Sequence, residues 1–255
     1  MRYNGLMKQG LSVKTLYEDK FLMVVYKPEG LLTVPYEGYR GKTLISILEE
    51  QRRKRGLVHG SFRPQAVHRL DRETSGIMMV ALTPDVQKRV MDNWQTLVTK
   101  RCYRALAELP RGPFPLEEEG TIDAPLTKNA MHHSYVAGRR NRPGKVDMAD
   151  KAGSASKAAG AHEVSAVTHY RVLSRGAKYA LLELELETGR TNQIRAHLAF
   201  MGCPIAGDTL YRAHTDPDHR MCLHAYSLEF THPVTGEKMS FEESEPQKWQ
   251  ELASD

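Results

Sequence analysis

Cysteine is scarce in this chain: Cys102, Cys203 and Cys222 are the only three in 255 residues, and no C-x-x-C pair occurs. That spacing excludes a disulfide framework and a cysteine zinc site, and marks the three as reduced packing residues. No run of about 18 apolar residues is present, so no membrane-spanning helix is expected. Residues 1–20 lack the apolar core of a secretory signal, which points to the cytoplasm. No H-E-x-x-H motif occurs, and His132 and His133 are adjacent rather than at ligand spacing, so no metal is expected. A Walker pattern and a G-x-G-x-x-G loop are also missing, which removes the usual signals of a nucleotide cofactor. No internal repeat is visible.

What is present describes an ordinary soluble chain. Apolar residues make up 40% and charged residues 26%, and the length suffices for one large domain or two small ones. A single domain over 1–255 is the expectation. The net charge of +5 is modest and is compatible with a polyanionic partner without demanding one. Its distribution says more, because "EEQRRKRG" (49–56), "TKRCYR" (99–104) and "GRRNRPGK" (138–145) are basic clusters, whereas the C-terminal stretch is acidic. Each cluster alone also fits a solvated face.

Periodicity gives a mixed order of elements. "FLMVVYKPEGLLTVP" (21–35) reads as a β-rich run broken at Pro28-Glu29-Gly30 and then resumed. "TLISILEEQRRKRG" (43–56) reads as a short amphipathic helix with a glycine stop, and Val86, Val90, Trp94 and Leu97 predict a helix behind Thr83-Pro84-Asp85. "KRCYRALAEL" and "YALLELELETG" alternate as strands do, and "TNQIRAHLAFMG" predicts a helix ending at Gly202. Strands and helices do not alternate as βαβ units, so an α+β fold on a mixed or largely antiparallel sheet is expected over a doubly wound one. Residues 138–161, rich in Gly, Ala, Ser and Lys, read as a mobile basic surface insertion.

Two stretches concentrate chemistry. In "QAVHRLDRETSGIMMVAL" (65–82), Asp71 lies between Arg69 and Arg72, ahead of a Thr74-Ser75-Gly76 turn and an apolar strand. Nearby cations favour an ionised carboxylate, which can act as nucleophile or general base. The residues by themselves leave open a surface salt-bridge loop and a reactive site. In "ETGRTNQIRAHLAFMGCPIAGDTLY" (187–211), Arg190 sits in a turn and Arg195 on the following helix, either as ordinary surface or as an arginine-lined wall for an anion. Tyr103, on a strand with basic neighbours, is a packing residue or a ring able to stack on a base.

Those stretches resemble the RluA-type pseudouridine synthases. "HRLDRETSG" matches that family's H-R-L-D-x-x-T-S-G, and "GRTNQIRAHLAFMGCPIAGDTLYR" its G-R-T-H-Q-I-R-x-H with the glycine-aspartate-x-x-tyrosine element behind it. "YEDKFLMVVYKPEGLLTVP" resembles the N-terminal strand pair, "KRCYRAL" the tyrosine strand and "LHAYSLEFTHPVTGE" the C-terminal strand. The five blocks run in the family's order across residues 17–237. The resemblance implies a curved mixed sheet with flanking helices and a central basic cleft, and isomerisation of uridine to pseudouridine in ribosomal or transfer RNA without a cofactor. It implies Asp71 as nucleophile, Arg195 as the cation that holds it ionised, and Tyr103 as the ring that stacks on the base and assists proton removal. Arg69 matches an arginine that extrudes the nucleotide from its stack, and Arg72, Arg101, Arg190 and Asn192 become RNA contacts.

Two departures qualify the match. Asn192 stands where the family has histidine, which keeps a hydrogen-bonding group and removes a titratable one. The family's frequent N-terminal RNA-binding module is expected to be absent, and the enzyme to act as a monomer. Two rivals remain: a hydrolase built on Asp71 and a histidine, for which no serine or cysteine nucleophile elbow exists, and a silent RNA-binding module that kept the fold.

Overall fold

The apolar run at the N-terminal side becomes a strand because it has somewhere to hide on both faces. Met23, Val24 and Val25 are buried in β2 (Leu22–Lys27), which lies antiparallel between β1 (Lys14–Glu18) and a wholly buried strand at Ser75–Ala81. The computed structural model describes residues 13–129, 133–136 and 163–255. The insertion expected at 138–161 lies outside the described residues. Among the described residues no helix is long and apolar enough to cross a membrane.

The chain divides into two compact units, residues 1–101 with 225–243, and residues 102–224 with 244–255. In the first unit, β2 leads to α1 (Leu44–Lys54), β3 (Gln65–Ala66), β4 (Ser75–Ala81), α2 (Pro84–Asp92) and α3 (Trp94–Leu97). α1 starts where Thr43 and Ser46 cap each other's backbone N–H groups, a reciprocal capping box. α2 starts where the Thr83 hydroxyl accepts from Val86 N, with Pro84 in the first turn. Leu22, Val24, Ile77, Met79, Val86, Val90 and Phe230 form the core of this unit.

Two local expectations are corrected here. The β run does not resume after Gly30: residues 31–35 form a loop, because their polar groups serve other elements. Lys27 Nζ donates to Leu31 O, Leu44 N to Leu32 O, and the Thr33 hydroxyl to Leu70 O. The helix behind Thr83 is also interrupted at Asn93, whose backbone N–H and side-chain amide both turn back to Arg89 O. α3 is a separate turn, and the chain is extended from Val98.

β5 (Val98–Glu108) carries the chain into the second unit, followed by β6 (Glu119–Asp123), β7 (Leu126–Lys128), β8 (Ser134–Val136), β9 (Val167–Arg175), β10 (Tyr179–Leu186) and α4 (Gln193–Met201). β11 (Leu223–Thr231) and β12 (Lys238–Glu242) pair antiparallel, and α5 (Gln247–Leu252) closes the chain. Strand order in the second unit is β5-β10-β9-β6, with β7 and β8 as a separate pair. The registers are antiparallel, as the alternating pattern predicts. Glu183 on β10 sits between Arg104 on β5 and Arg171 on β9, and bridges both at 2.9 and 2.6 Å. The three cysteines are buried and free, and burial pushes the Cys203 and Cys222 thiols up to about 12, so they pack rather than react. The α+β class stands.

Candidate active site

The loop 67–74 between β3 and β4 is shaped by its own alternation. Val67, Leu70 and Thr74 are buried, whereas Arg69 and Arg72 are exposed and Asp71 is half-buried. Its middle is tied down by Lys27 at the end of β2 and by Thr33 in the loop that follows. The Thr33 hydroxyl donates to Leu70 O at 3.1 Å and accepts from Leu70 N at 3.3 Å, fixing both backbone groups of the residue before Asp71. Lys27 is fully buried, and its ammonium donates to the carbonyls of Pro28, Leu31 and Arg72 at 3.0, 2.7 and 3.2 Å. Arg72 Nε donates to Gly30 O, and Thr74 N to Asp71 O, which closes a turn around the carboxylate-bearing residue. Directly behind, a Cβ at Gly76 would collide with the Ala225 carbonyl, so the motif's glycine is required by the close approach of β11 to β4.

His68 is committed to structure. Its Nε2 accepts from Met79 N at 3.0 Å, so that nitrogen carries no proton, and its ring packs on Trp94 with centroids 4.9 Å apart. Burial, followed by the Arg101 charge, lowers its pKa from 6.5 to about 3. A histidine so held cannot serve as the general base of a hydrolase around Asp71. Arg101 itself lies over the Trp94 ring at 5.7 Å. The cluster at 49–56 is largely spent within the fold: Arg52 and Arg55 pair with Glu18, Arg53 with Glu49 and Lys54 with Glu50.

The remaining candidates belong to the second unit. Tyr103 lies on β5 opposite Leu184 and packs, half-buried, against that unit's core. Arg190 donates from Nε to Ser165 O and from its backbone to the Gln193 side chain. Asn192 takes a left-handed conformation (φ 53°) immediately before α4, a backbone state that Asn tolerates better than most residues. Arg195 is buried on α4, and its Nε and Nη2 donate to the two carboxylate oxygens of Asp208 at 2.7 and 2.8 Å, while its guanidinium lies over Tyr211 at 5.1 Å. Asp208 and Tyr211 are the aspartate and tyrosine of the glycine-aspartate-x-x-tyrosine element, to which the sequence had attached no role.

A directed hydrogen-bond chain sets the start of α4. Val167 N donates to the Thr188 hydroxyl, which donates to Gln193 Oε1; Gln193 Nε2 donates to Val167 O and to the Thr168 hydroxyl. His197, buried with its pKa lowered by that burial, has Nε2 2.9 Å from Ala124 O and Nδ1 2.9 Å from the Thr168 hydroxyl. A carbonyl only accepts, so Nε2 bears the proton and Thr168 donates to Nδ1. Sequence reasoning missed Lys27, Thr33 and Thr168 as well. A lysine ending an apolar strand directly before the Pro28-Glu29-Gly30 turn was the available signal for Lys27; nothing local marks the two threonines. Among the described residues, no three His, Cys, Asp or Glu side chains are grouped to hold a metal ion.

Known proteins resemble this chain in sequence and fold. Residues 21–200 match the sequence profile described as RNA pseudouridylate synthase. The chain is 34% identical over 248 residues to an uncharacterized RNA pseudouridine synthase of Bacillus subtilis, covering 97% of this chain and 74% of that one. It is 35% identical over 247 residues to ribosomal large subunit pseudouridine synthase D of Nitrosomonas europaea, covering 93% of this chain and 63% of that one. The solved structure of human RNA pseudouridylate synthase domain containing 1 superposes with a TM-score of 0.67 at 22% identity, over 93% of this chain and 85% of that one, and supports the fold. With the H-R-L-D loop, the Q-I-R helix and the tyrosine strand all built as described, the chain belongs to the RNA pseudouridylate synthase family, whose members are isomerases acting on RNA.

Proposed function

We propose that this enzyme converts uridine to pseudouridine in ribosomal RNA of the large subunit, with Asp71 as its nucleophile, acting as a cytoplasmic monomer. The ribosomal substrate rests on the relatives that carry that name; transfer RNA is the second candidate. The observation that carries the role of Asp71 is the way its loop is held: the backbone on either side is clamped by Thr33 and the buried Lys27, while Arg69 stays exposed beside it. A carboxylate on a rigid, cation-flanked loop is suited to attack or to charge stabilisation.

The chemistry is redox-neutral. The bond from C1′ to N1 breaks, the base turns, a bond from C1′ to C5 forms, and the proton on C5 is lost as N1 gains one. Nothing enters or leaves but protons, so no cofactor belongs to the proposal. Tyr103 stacks on the target base and assists removal of the C5 proton, Arg195 is the cation that supports the nucleophile, and Arg69 helps to extrude the nucleotide from its stack. Arg72, Arg101, Arg190 and Asn192 contact the RNA.

Tritium release from large-subunit ribosomal RNA labelled at uracil C5 tests the proposal. Wild-type protein should release tritium, and Asp71→Asn should fall below about a hundredth of that rate while RNA affinity stays within a few-fold, because binding is spread over many phosphates. Release by Asp71→Asn above about a tenth of the wild-type rate, without deamidation, would remove the nucleophile from the proposal.

A further inference from the structure

The stretch "PYEGYRGK" (35–42) plays no part in the chemistry above, yet it is built with care. Tyr39 N donates to Tyr36 O at 3.0 Å, which closes a four-residue turn, and Gly38 occupies its third position with φ 81°. That positive φ is what a type II turn demands of glycine. The turn brings the two tyrosine rings to a centroid distance of 5.2 Å at 45°. The Tyr39 ring folds across Gly41, where any Cβ would strike it, and its hydroxyl donates to Lys42 O at 3.4 Å. Tyr39 is thus a fixed back wall, and Tyr36 stands against it at 65% exposure, the largest value for a large apolar side chain among the described residues.

We propose that Tyr36, backed by Tyr39, is a stacking platform for an unpaired base of the substrate RNA other than the uridine that reacts. The proposal rests on the enzyme's action on RNA and adds a contact to it. Three observations choose this occupant. Aromatic faces held in water are the usual seats for bases, and stacking on them tolerates any base. The charges around the dyad leave little net field: Lys42 is paired with Glu50 at 2.7 Å, and Arg40 and Glu37 are both exposed. A phosphate or an acidic partner would therefore gain little here, whereas a base would gain its stacking. The loop is also rooted next to the reactive carboxylate: Thr33 holds Leu70 through both backbone groups, and Leu44 N closes on Leu32 O on the far side. A base held by Tyr36 is thereby held in register with Asp71, within one unit of the protein.

The test uses Tyr36→Ala and Tyr36→Phe in the full-length chain, with two probes. The first is a large-subunit ribosomal RNA transcript that the wild type modifies, read by tritium release. The second is a fluorescein-labelled rA12 oligonucleotide, which has no uridine and reads binding alone by anisotropy. Stacking on an aromatic side chain contributes enough that its loss should raise the Kd for rA12 and the KM for the transcript about ten-fold in Tyr36→Ala. Tyr36→Phe should stay within about two-fold of wild type, and kcat at saturating transcript should be unchanged in both. The salt slope of binding should also be unchanged, since no phosphate contact is lost. Kd and KM within two-fold of wild type in Tyr36→Ala overturn the platform, as does an equal loss in Tyr36→Phe, which would indicate a hydroxyl contact instead. If the wild type releases no tritium, the assignment of activity fails, while the rA12 series still decides whether the platform exists.

Discussion

Arg195 and Asp208 meet side-on in the second unit, Nε on one carboxylate oxygen at 2.7 Å and Nη2 on the other at 2.8 Å, with 7% and 1% of their side chains exposed. A bidentate pair this dry is fixed in direction as well as in charge, and Asp208 also accepts from Tyr211 N, which binds the 209–211 turn to the same carboxylate. The arginine that the resemblance marks as catalytic is therefore oriented from behind by a residue thirteen positions later in the chain. Removing one member of a buried pair strands the other, at a cost of about 3–5 kcal/mol. Asp208→Ala should lower unfolding stability by that order and depress turnover, while Asp208→Glu recovers part of both. Urea unfolding followed by circular dichroism reads the first effect; a loss below about 1 kcal/mol would show that the pair contributes little.

His68 predicts a pH dependence with a definite sign. Its folded pKa of about 3 lies below its ordinary value of 6.5. Above pH 6.5 both folded and unfolded chains carry a neutral ring, and its contribution is fully present. As pH falls from 6.5 toward 3 the unfolded chain binds a proton that the folded one refuses, so stability is lost, at up to about 1.4 kcal/mol per pH unit. His197, also lowered by burial, adds a loss of the same sign. Comparing unfolding free energies from urea at pH 7 and pH 5, the wild type should lose about 2 kcal/mol more than His68→Gln. Equal losses in the two proteins would contradict a His68 ring held neutral against Met79 N and Trp94.

Lys27 offers a test of how the reactive loop is held. Lys27→Met keeps the length and the apolar stem but leaves the carbonyls of Pro28, Leu31 and Arg72 without this donor. Hydrogen bonds from a charged donor contribute roughly 1.5–3 kcal/mol, so a stability loss of about 2–4 kcal/mol is expected. Because one of the three carbonyls adjoins Asp71, kcat should fall more than KM rises. A variant that is destabilised yet keeps wild-type kcat at low temperature would separate Lys27 from the positioning of the carboxylate.

Thr168 is the hinge of the network beneath α4. Thr168→Val removes one of the two acceptors of Gln193 Nε2, which keeps Val167 O, and the donor to His197 Nδ1 in one step, leaving one buried N–H and one buried ring nitrogen without these bonds. About 1–3 kcal/mol for each such group sets the expected loss at a few kcal/mol. Thr168→Ser keeps the hydroxyl and should cost under about 1 kcal/mol more than a lost methyl group does. Valine and serine variants of equal stability would mean that the network is not formed in solution.

Much of this protein was legible in one dimension. Alternation in "YALLELELETG" marks β10, Thr43 and Thr83 announce helix starts, and Gly202 stops α4, because those signals are local: a period, a cap and a left-handed residue act within a few positions. The five ordered motif blocks sufficed to name the family. Failures of the sequence reading came where distant groups competed for the chain. The break at Asn93 is the local exception, where its side-chain amide takes the Arg89 carbonyl four residues back; residues 31–35 look like a strand until Lys27, Leu44 and Leu70 take their polar groups. The partners of the candidate site are of the same kind. Asp208 for Arg195, Met79 for His68 and Thr33 for Leu70 are pairings of groups that local periodicity does not link, and they exist because a buried donor or acceptor must find a complement wherever the fold brings one. Sequence by itself determined which residues carry charge, hydroxyls and rings; only tertiary structure decided which of them would be held still, since desolvation acts on neighbours in space and not on neighbours in the chain.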